Sequence, residues 1–326
     1  MIKRLNGIRV ELEKLKNSGI IRGELTGFKS LDEFYSIKQG SYTTVLGSPT
    51  HGKSEFIFEL LMNQSIEFGK RHLIYSPETG SVEEIFAELI HKYTKKDFYY
   101  WNKNGHSEQD FYKAADWIDW HFLIVDSDEK AYTLAELFEF VLKYEKAHPG
   151  EDKISCIMAE PYNEIRHEMG TTRQDLYIEE LMGEVRRFCK KYKKHLFLSI
   201  HPTDQPLVNH ERGAYYPKPL PRQAAGGQAL YRKAMAWITL WRPPVFLEEN
   251  GVPYQENEVI VSIDKAKPKR VCVKGVCHLY FEWDINRYYE YAFGDKLYAF
   301  EHKAKVTDPN EGFQPNRNYE QQKDLF

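Results

Sequence analysis

The sequence has no apolar run long enough to cross a bilayer, and its opening stretch, MIKRLNGIRVELEKLKNSG, lacks the pattern of a secretory leader. No membrane partner is expected. Cysteine is scarce: Cys156, Cys189, Cys272 and Cys277 are the only four, and no pair has zinc-ligand spacing. Cys272 and Cys277 flank Gly275 in a stretch that reads as a hairpin, so reduced structural thiols and a cytoplasmic setting, bacterial or in a phage-infected host, are expected. Charge of one sign is lacking too, since 45 Lys and Arg against 48 Asp and Glu leave a net −3. That balance argues against wholesale coating of nucleic acid and confines any such contact to local basic loops. No internal repeat is visible.

At 326 residues and 42% hydrophobic, the chain can bury a full core. One large α/β domain over 23–300 is expected, preceded by an amphipathic helix over 1–22 and followed by a flexible polar tail over 301–326. The most specific local signal is GSPTHGKS, residues Gly47, Ser48, Pro49, Thr50, His51, Gly52, Lys53 and Ser54. It follows the β-branched run YTTVL and precedes SEFIFELLMNQSIEF, whose apolar residues have helical spacing. That strand–loop–helix context is what a phosphate-binding loop needs. Gly47 and Gly52 let successive backbone N–H groups turn toward phosphate oxygens. The helix start adds its positive end. Lys53 would reach the β- and γ-phosphates of ATP, and the Ser54 hydroxyl would hold Mg²⁺.

Further strands are expected in RHLIYSPETG, HFLIVD, ISCIMAE and HLFLSIHPTD, with helices over 81–120, in TLAELFEFVLKYEKAH and over 174–194. Residues 204–228, rich in Pro, Gly and Arg, read as a long functional surface loop. MAWITLWR, NEVIVSIDKAK, RVCVKG and CHLYFEWD read as closing β-hairpins. Alternating strands and helices behind a phosphate loop imply a mainly parallel central sheet flanked by helices, with ligands at the strands' carboxyl ends. Two of those strands end in acids, Asp126 and Glu160. The apolar pattern by itself favours Asp126 as the second Mg²⁺ anchor.

TGFKSLDEFYSIKQGSYTTVLGSPTHGKS, IYSPETG, EPYNEI, SIHPT and GGQALYRKA stand in the order seen in the RecA-like P-loop NTPase core of DnaB/Twinkle-type hexameric replicative helicases, and the chain resembles the phage primase–helicase forms over residues 20–290. The resemblance implies an ATP-dependent DNA helicase, a hexameric ring moving on single-stranded DNA. It implies that Glu78 polarises the attacking water and that His201 senses the γ-phosphate. It favours Glu160 over Asp126 for Mg²⁺, because PYNEI follows it, although the family has Asp there. Lys265 falls on the family's trans-acting Lys, whereas Lys267 stands where an Arg finger is expected and Arg270 follows three residues on. Met235 replaces an expected Asp. Lys cannot form a bidentate fork on phosphate, so two alternatives stand beside the motor: a catalytically weakened ATP-binding scaffold, and a recombination or loader ATPase. DNA contacts are expected from Arg166, His167 and Arg173 after EPYN, and from Arg212, Lys218 and Arg222 in the long loop, with Tyr215 and Tyr216 stacking. Gln322 to Phe326, QKDLF, resembles a sliding-clamp-binding peptide.

Overall fold

The computed structural model describes residues 4–19, 22–267, 272–292 and 294–301. Arg270 and the QKDLF stretch lie outside the described residues. Helix α1, Arg9–Ser18, follows a short 3₁₀ turn and buries none of its residues. After α2 (Lys29–Asp32) comes the unit β1 (Ser41–Leu46), phosphate loop, α3 (Lys53–Phe68), then β2 (Arg71–Tyr75) and α4 (Val82–Thr94). There follow α5 (Glu108–His121), β3 (Phe122–Ile124), α6 (Leu134–Ala147), β4 (Ile154–Ala159), α7 (Gln174–Tyr192), β5 (His195–Ile200), α8 (Gly227–Lys233) and β6 (Ala236–Trp241). The chain closes with a two-stranded ribbon, β7 (Glu248–Glu249) and β8 (Val252–Pro253), and with β9 (Glu258–Ala266), β10 (Gly275–Glu282), β11 (Arg287–Ala292) and β12 (Asp295–Tyr298).

Ten strands form one sheet in the order β12-β11-β10-β9-β6-β1-β5-β4-β2-β3. The six from β3 to β6 are mutually parallel, and β9 to β12 extend the sheet antiparallel beyond β6. Parallel strands buried on both faces read as unbroken apolar runs, which is why SYTTVL, ISCIMA and HLFLSI are legible. Alternate residues feed two cores. Val45, Ile74, Met158 and Phe197 pack under α3, α4 and α5; Leu46, Leu73, Ile157 and Leu198 pack under α6 and α7. Helix starts are set locally: Ser81 with Glu84, and Thr133 with Glu136, form reciprocal capping boxes.

The expected turn at Gly275 is instead the first residue of β10, paired with Ile263. Glycine is needed there because a Cβ would stand 2.1 Å from the Phe34 ring. All four cysteines are buried and free. Among the described residues no helix is long and apolar enough to cross a membrane.

A buried ion network ties β11 to the helices. Glu59 of α3 is wholly buried; Arg287 donates to both its oxygens at 2.9 and 3.0 Å, and the Lys92 ammonium lies 3.5 Å away. Glu59→Ala leaves two buried cations short of their shared counter-charge. A loss of about 3–5 kcal/mol of folding stability is expected, read as a lower urea midpoint.

Candidate nucleotide and DNA site

The loops after β1, β2, β4 and β5 converge at the sheet's carboxyl edge. They bring Lys53, Glu78, Glu160 and His201 together beside a cleft of about 630 Å³. The phosphate loop turns into α3 through Gly52, whose φ of +79° lies in the left-handed region, and a Cβ there would meet the Tyr288 hydroxyl at 2.9 Å. Gly47 is crowded by the Lys53 stem, at 3.0 Å from where a Cβ would stand.

The Lys53 ammonium lies 3.3 Å from the Ser48 carbonyl and 3.1 Å from His201 Nδ1. A protonated lysine only donates, so His201 Nδ1 accepts and Nε2 carries the proton. That N–H then donates to Glu78 Oε2 at 2.9 Å. Lys53, His201 and Glu78 thus form one hydrogen-bonded chain across three loops. Burial lowers the Lys53 pKa to about 8, although the Glu160 and Glu78 carboxylates pull it back up. Burial, with the Lys53 and Arg242 charges, holds His51 at about 4 and therefore neutral at pH 7.

Glu160 is 2% exposed. Its Oε1 accepts from Ser76 Oγ at 2.7 Å and from Thr79 Oγ1 at 3.1 Å, whereas Oε2 is buried with no hydrogen-bond partner. Burial pushes its carboxyl above the usual range, against the Ser54, Ser76 and Thr79 hydroxyls and the Lys53 charge. An orphaned carboxylate oxygen influenced by the Ser54 hydroxyl fits a hard divalent cation held by one carboxylate, one hydroxyl and phosphate oxygens. Among the described residues no group of three or more His, Cys, Asp and Glu forms a closed metal cage. Asp126 is exposed beyond the edge strand β3, where its Oδ1 accepts from Asp128 N at 2.9 Å. The apolar pattern favoured it because chain pattern does not reveal which strand lies at an edge.

The remaining candidates are dispersed. Lys265 donates to the Tyr231 and Arg232 carbonyls at the end of α8, the latter at 2.8 Å, while Lys267 is exposed at the end of β9. Burial, reinforced by Lys267, lowers the Lys265 pKa to about 8. Met235 is half-buried against the core beneath α7. Arg166 pairs with Glu136 and Glu168 at 3.1 and 3.0 Å, and Arg173 with Asp175 at 2.7 Å. His167 packs inward on Tyr162 and Tyr177. Lys218 donates to Ser262 Oγ on β9, so this cation, expected to face DNA, is turned into the sheet instead. Arg212 and Arg222 are exposed. The long loop is more ordered than its composition suggests: Val208 and Tyr215 pair as an antiparallel bridge, and a 3₁₀ turn spans Pro221–Gln223.

Two cleft residues went unread in the sequence. The Arg242 guanidinium donates to the Thr50 carbonyl at 3.4 Å and lies 5.9 Å from the Trp283 ring centre, and both residues line the cleft. They offer a flat cationic and aromatic surface next to the phosphate loop. The Arg that closes WITLWR was the available signal.

No family model matches the chain. The chain is 26% identical over 194 residues to the Twinkle homolog protein, chloroplastic/mitochondrial, of Arabidopsis thaliana, covering 55% of this chain and 26% of that one. It therefore spans about a quarter of the length of this curated relative. Among solved structures, a DnaB-like replicative helicase studied with its primase superposes with a TM-score of 0.68 at 17% identity, over 88% of this chain and 68% of that one. The ATPase domain of G40P superposes with a TM-score of 0.67 at 16% identity, over 88% of this chain and 99% of that one. With β1 central and the Gly47–Ser54 loop at its end, the chain has the fold of these helicase ATPase domains and is similar in sequence to the Twinkle homolog.

Proposed function

We propose that the chain is an ATP-dependent, Mg²⁺-requiring DNA helicase, working as a hexameric ring that moves on single-stranded DNA. The observation that carries this reading is the Lys53–His201–Glu78 chain, set beside Glu160 at the ends of neighbouring strands. In it the phosphate-binding cation, a polar strand-end residue and a carboxylate able to orient water are already connected. Phosphate arriving at the loop competes with His201 for the Lys53 ammonium, so filling the site changes the partner of Glu78's histidine. That is a means of reporting occupancy to the loops beyond β5. Ser54 and Glu160 would hold Mg²⁺, which supplies charge neutralisation on the phosphates. Arg166, Arg173, Arg212 and Arg222 are the candidates for backbone contact with DNA, with Lys218 joining only if it leaves Ser262. Lys265, and Arg270 in the stretch just beyond, are the candidates for completing a neighbour's site.

Glu160 gives the scaffold reading its support, because a Glu where the family has Asp sets its carboxylate one methylene further along, with one oxygen already taken by Ser76 and Thr79. Mg²⁺-dependent ATP hydrolysis, with and without single-stranded DNA, on wild type and Glu160→Asp separates the two. DNA-stimulated turnover by the wild type is expected, together with a change in the Mg²⁺ requirement in Glu160→Asp. Hydrolysis by Glu160→Asp alone would make the native chain a nucleotide-gated assembly.

A further inference from the structure

We infer that Gln205 is a positioning residue that couples the phosphate loop to the hairpin presenting Arg212. The inference rests on the nucleotide reading of Gly47–Ser54. Ser48, the second residue of the phosphate loop, is 1% exposed, and its hydroxyl donates to Gln205 Oε1. The other end of the same amide, Nε2, donates to the Pro217 carbonyl. One side chain thus uses an acceptor toward the nucleotide loop and a donor toward the far limb of the 204–228 loop, a combination its amide supplies without charge.

What Gln205 holds is a distinct unit. Val208 and Tyr215 exchange backbone hydrogen bonds at 2.9 and 3.0 Å, closing a hairpin that leaves Arg212 exposed, and His210 and Tyr215 pack on Phe246. The base of the loop is tied separately: Thr203 N donates to the Gln223 carbonyl at 2.7 Å, and Gln223 Nε2 donates to the Asp204 carbonyl at 2.8 Å. Removing Gln205's bridge therefore leaves the base and the hairpin intact while cutting the tie to Ser48. On the nucleotide side, the Ser48 carbonyl accepts from Lys53 Nζ at 3.3 Å. A phosphate that draws Lys53 away relieves Ser48 of that partner, and Gln205 passes the adjustment to Pro217. This route runs beside the His201 chain and engages a different residue of the phosphate loop.

The test compares wild type, Gln205→Ala and Gln205→Glu. The glutamate is of equal size and keeps the acceptor for Ser48, but it has no donor for Pro217. A fluorescent ATP analogue reports nucleotide binding; trypsin cleavage after Arg212, with and without Mg²⁺ and a non-hydrolysable ATP analogue, reports the hairpin. Labelled single-stranded DNA, titrated with and without that analogue, gives the coupling factor. Wild type is expected to show nucleotide-dependent cleavage at Arg212 and a coupling factor of at least about fivefold. Both variants are expected to bind nucleotide, to cleave at Arg212 at one rate regardless of it, and to lower the coupling factor by at least about twofold, the remainder passing through His201. Nucleotide-dependent cleavage retained in both variants overturns the inference. So does DNA affinity that falls equally with and without nucleotide, which marks a merely structural role. Wild type that binds nucleotide and gates Arg212 but ignores DNA overturns the helicase reading and leaves the Gln205 coupling standing. Wild type that binds no nucleotide overturns both.

Discussion

Lys53→Ala is expected to abolish measurable ATP hydrolysis and to weaken nucleotide binding severely. Lys53 is 7% exposed, in a region where charge interactions are poorly screened, and it is the cation directed by the loop itself. Removing one preorganised electrostatic contact of this kind costs about 10²–10³ in rate. The substitution also takes away the donor that sets the His201 tautomer, so the Glu78 end of the chain loses its orientation. Because the Lys53 pKa is lowered to about 8, the free protein carries the full charge below that value and loses it above. Nucleotide affinity of the wild type should therefore fall as pH rises through about 8, and the residual binding of Lys53→Ala should not follow that profile. Steady-state hydrolysis and a fluorescent-nucleotide titration across this range check both statements. An undiminished rate in Lys53→Ala would remove the phosphate-loop assignment.

Glu78→Gln should separate binding from turnover. Glu78 is half-exposed at the cleft and makes its recorded hydrogen bond with His201, at 2.9 Å. A glutamine oxygen still accepts from Nε2–H, so the geometry is kept while the charge that polarises a water is lost. General-base contributions are about 10²–10⁴, and turnover should drop on that scale with nucleotide affinity nearly unchanged. Single-turnover hydrolysis beside the same titration reads the two quantities apart. Turnover at the wild-type rate would take Glu78 out of the reaction.

The Gly47–Ser54 turn between β1 and α3 and the buried parallel strands were legible because both are local: a short run of residue types, and apolar runs with both faces covered. Glu78 and His201 were singled out through order along the chain and family resemblance, since a lone acid or histidine after a strand has no signal of its own. The closing strands were read only in part. β11 (RYYEYA) and β12 (DKLY) mix aromatic and charged residues without a clear period, and the burial of Arg287 in β11 goes with its ion pair to Glu59. Gly275 read as a turn because its reason, the Phe34 ring, is over 200 positions away in sequence.

The amino-acid sequence by itself determined the parallel core and the loop that ends β1, because hydrophobic period and glycine placement act over a few residues. The apolar pattern favoured Asp126 and the family resemblance Glu160; only the tertiary structure shows Glu160 beside the Gly47–Ser54 loop, since strand order puts β4 next to β5 and leaves β3 at the edge. It also turned Lys218 inward, set Arg242 by Trp283 and joined Gln205 to Ser48. Each of these is a contact between segments far apart in the chain, made possible by how the sheet brings loop ends together, and no local pattern encodes it.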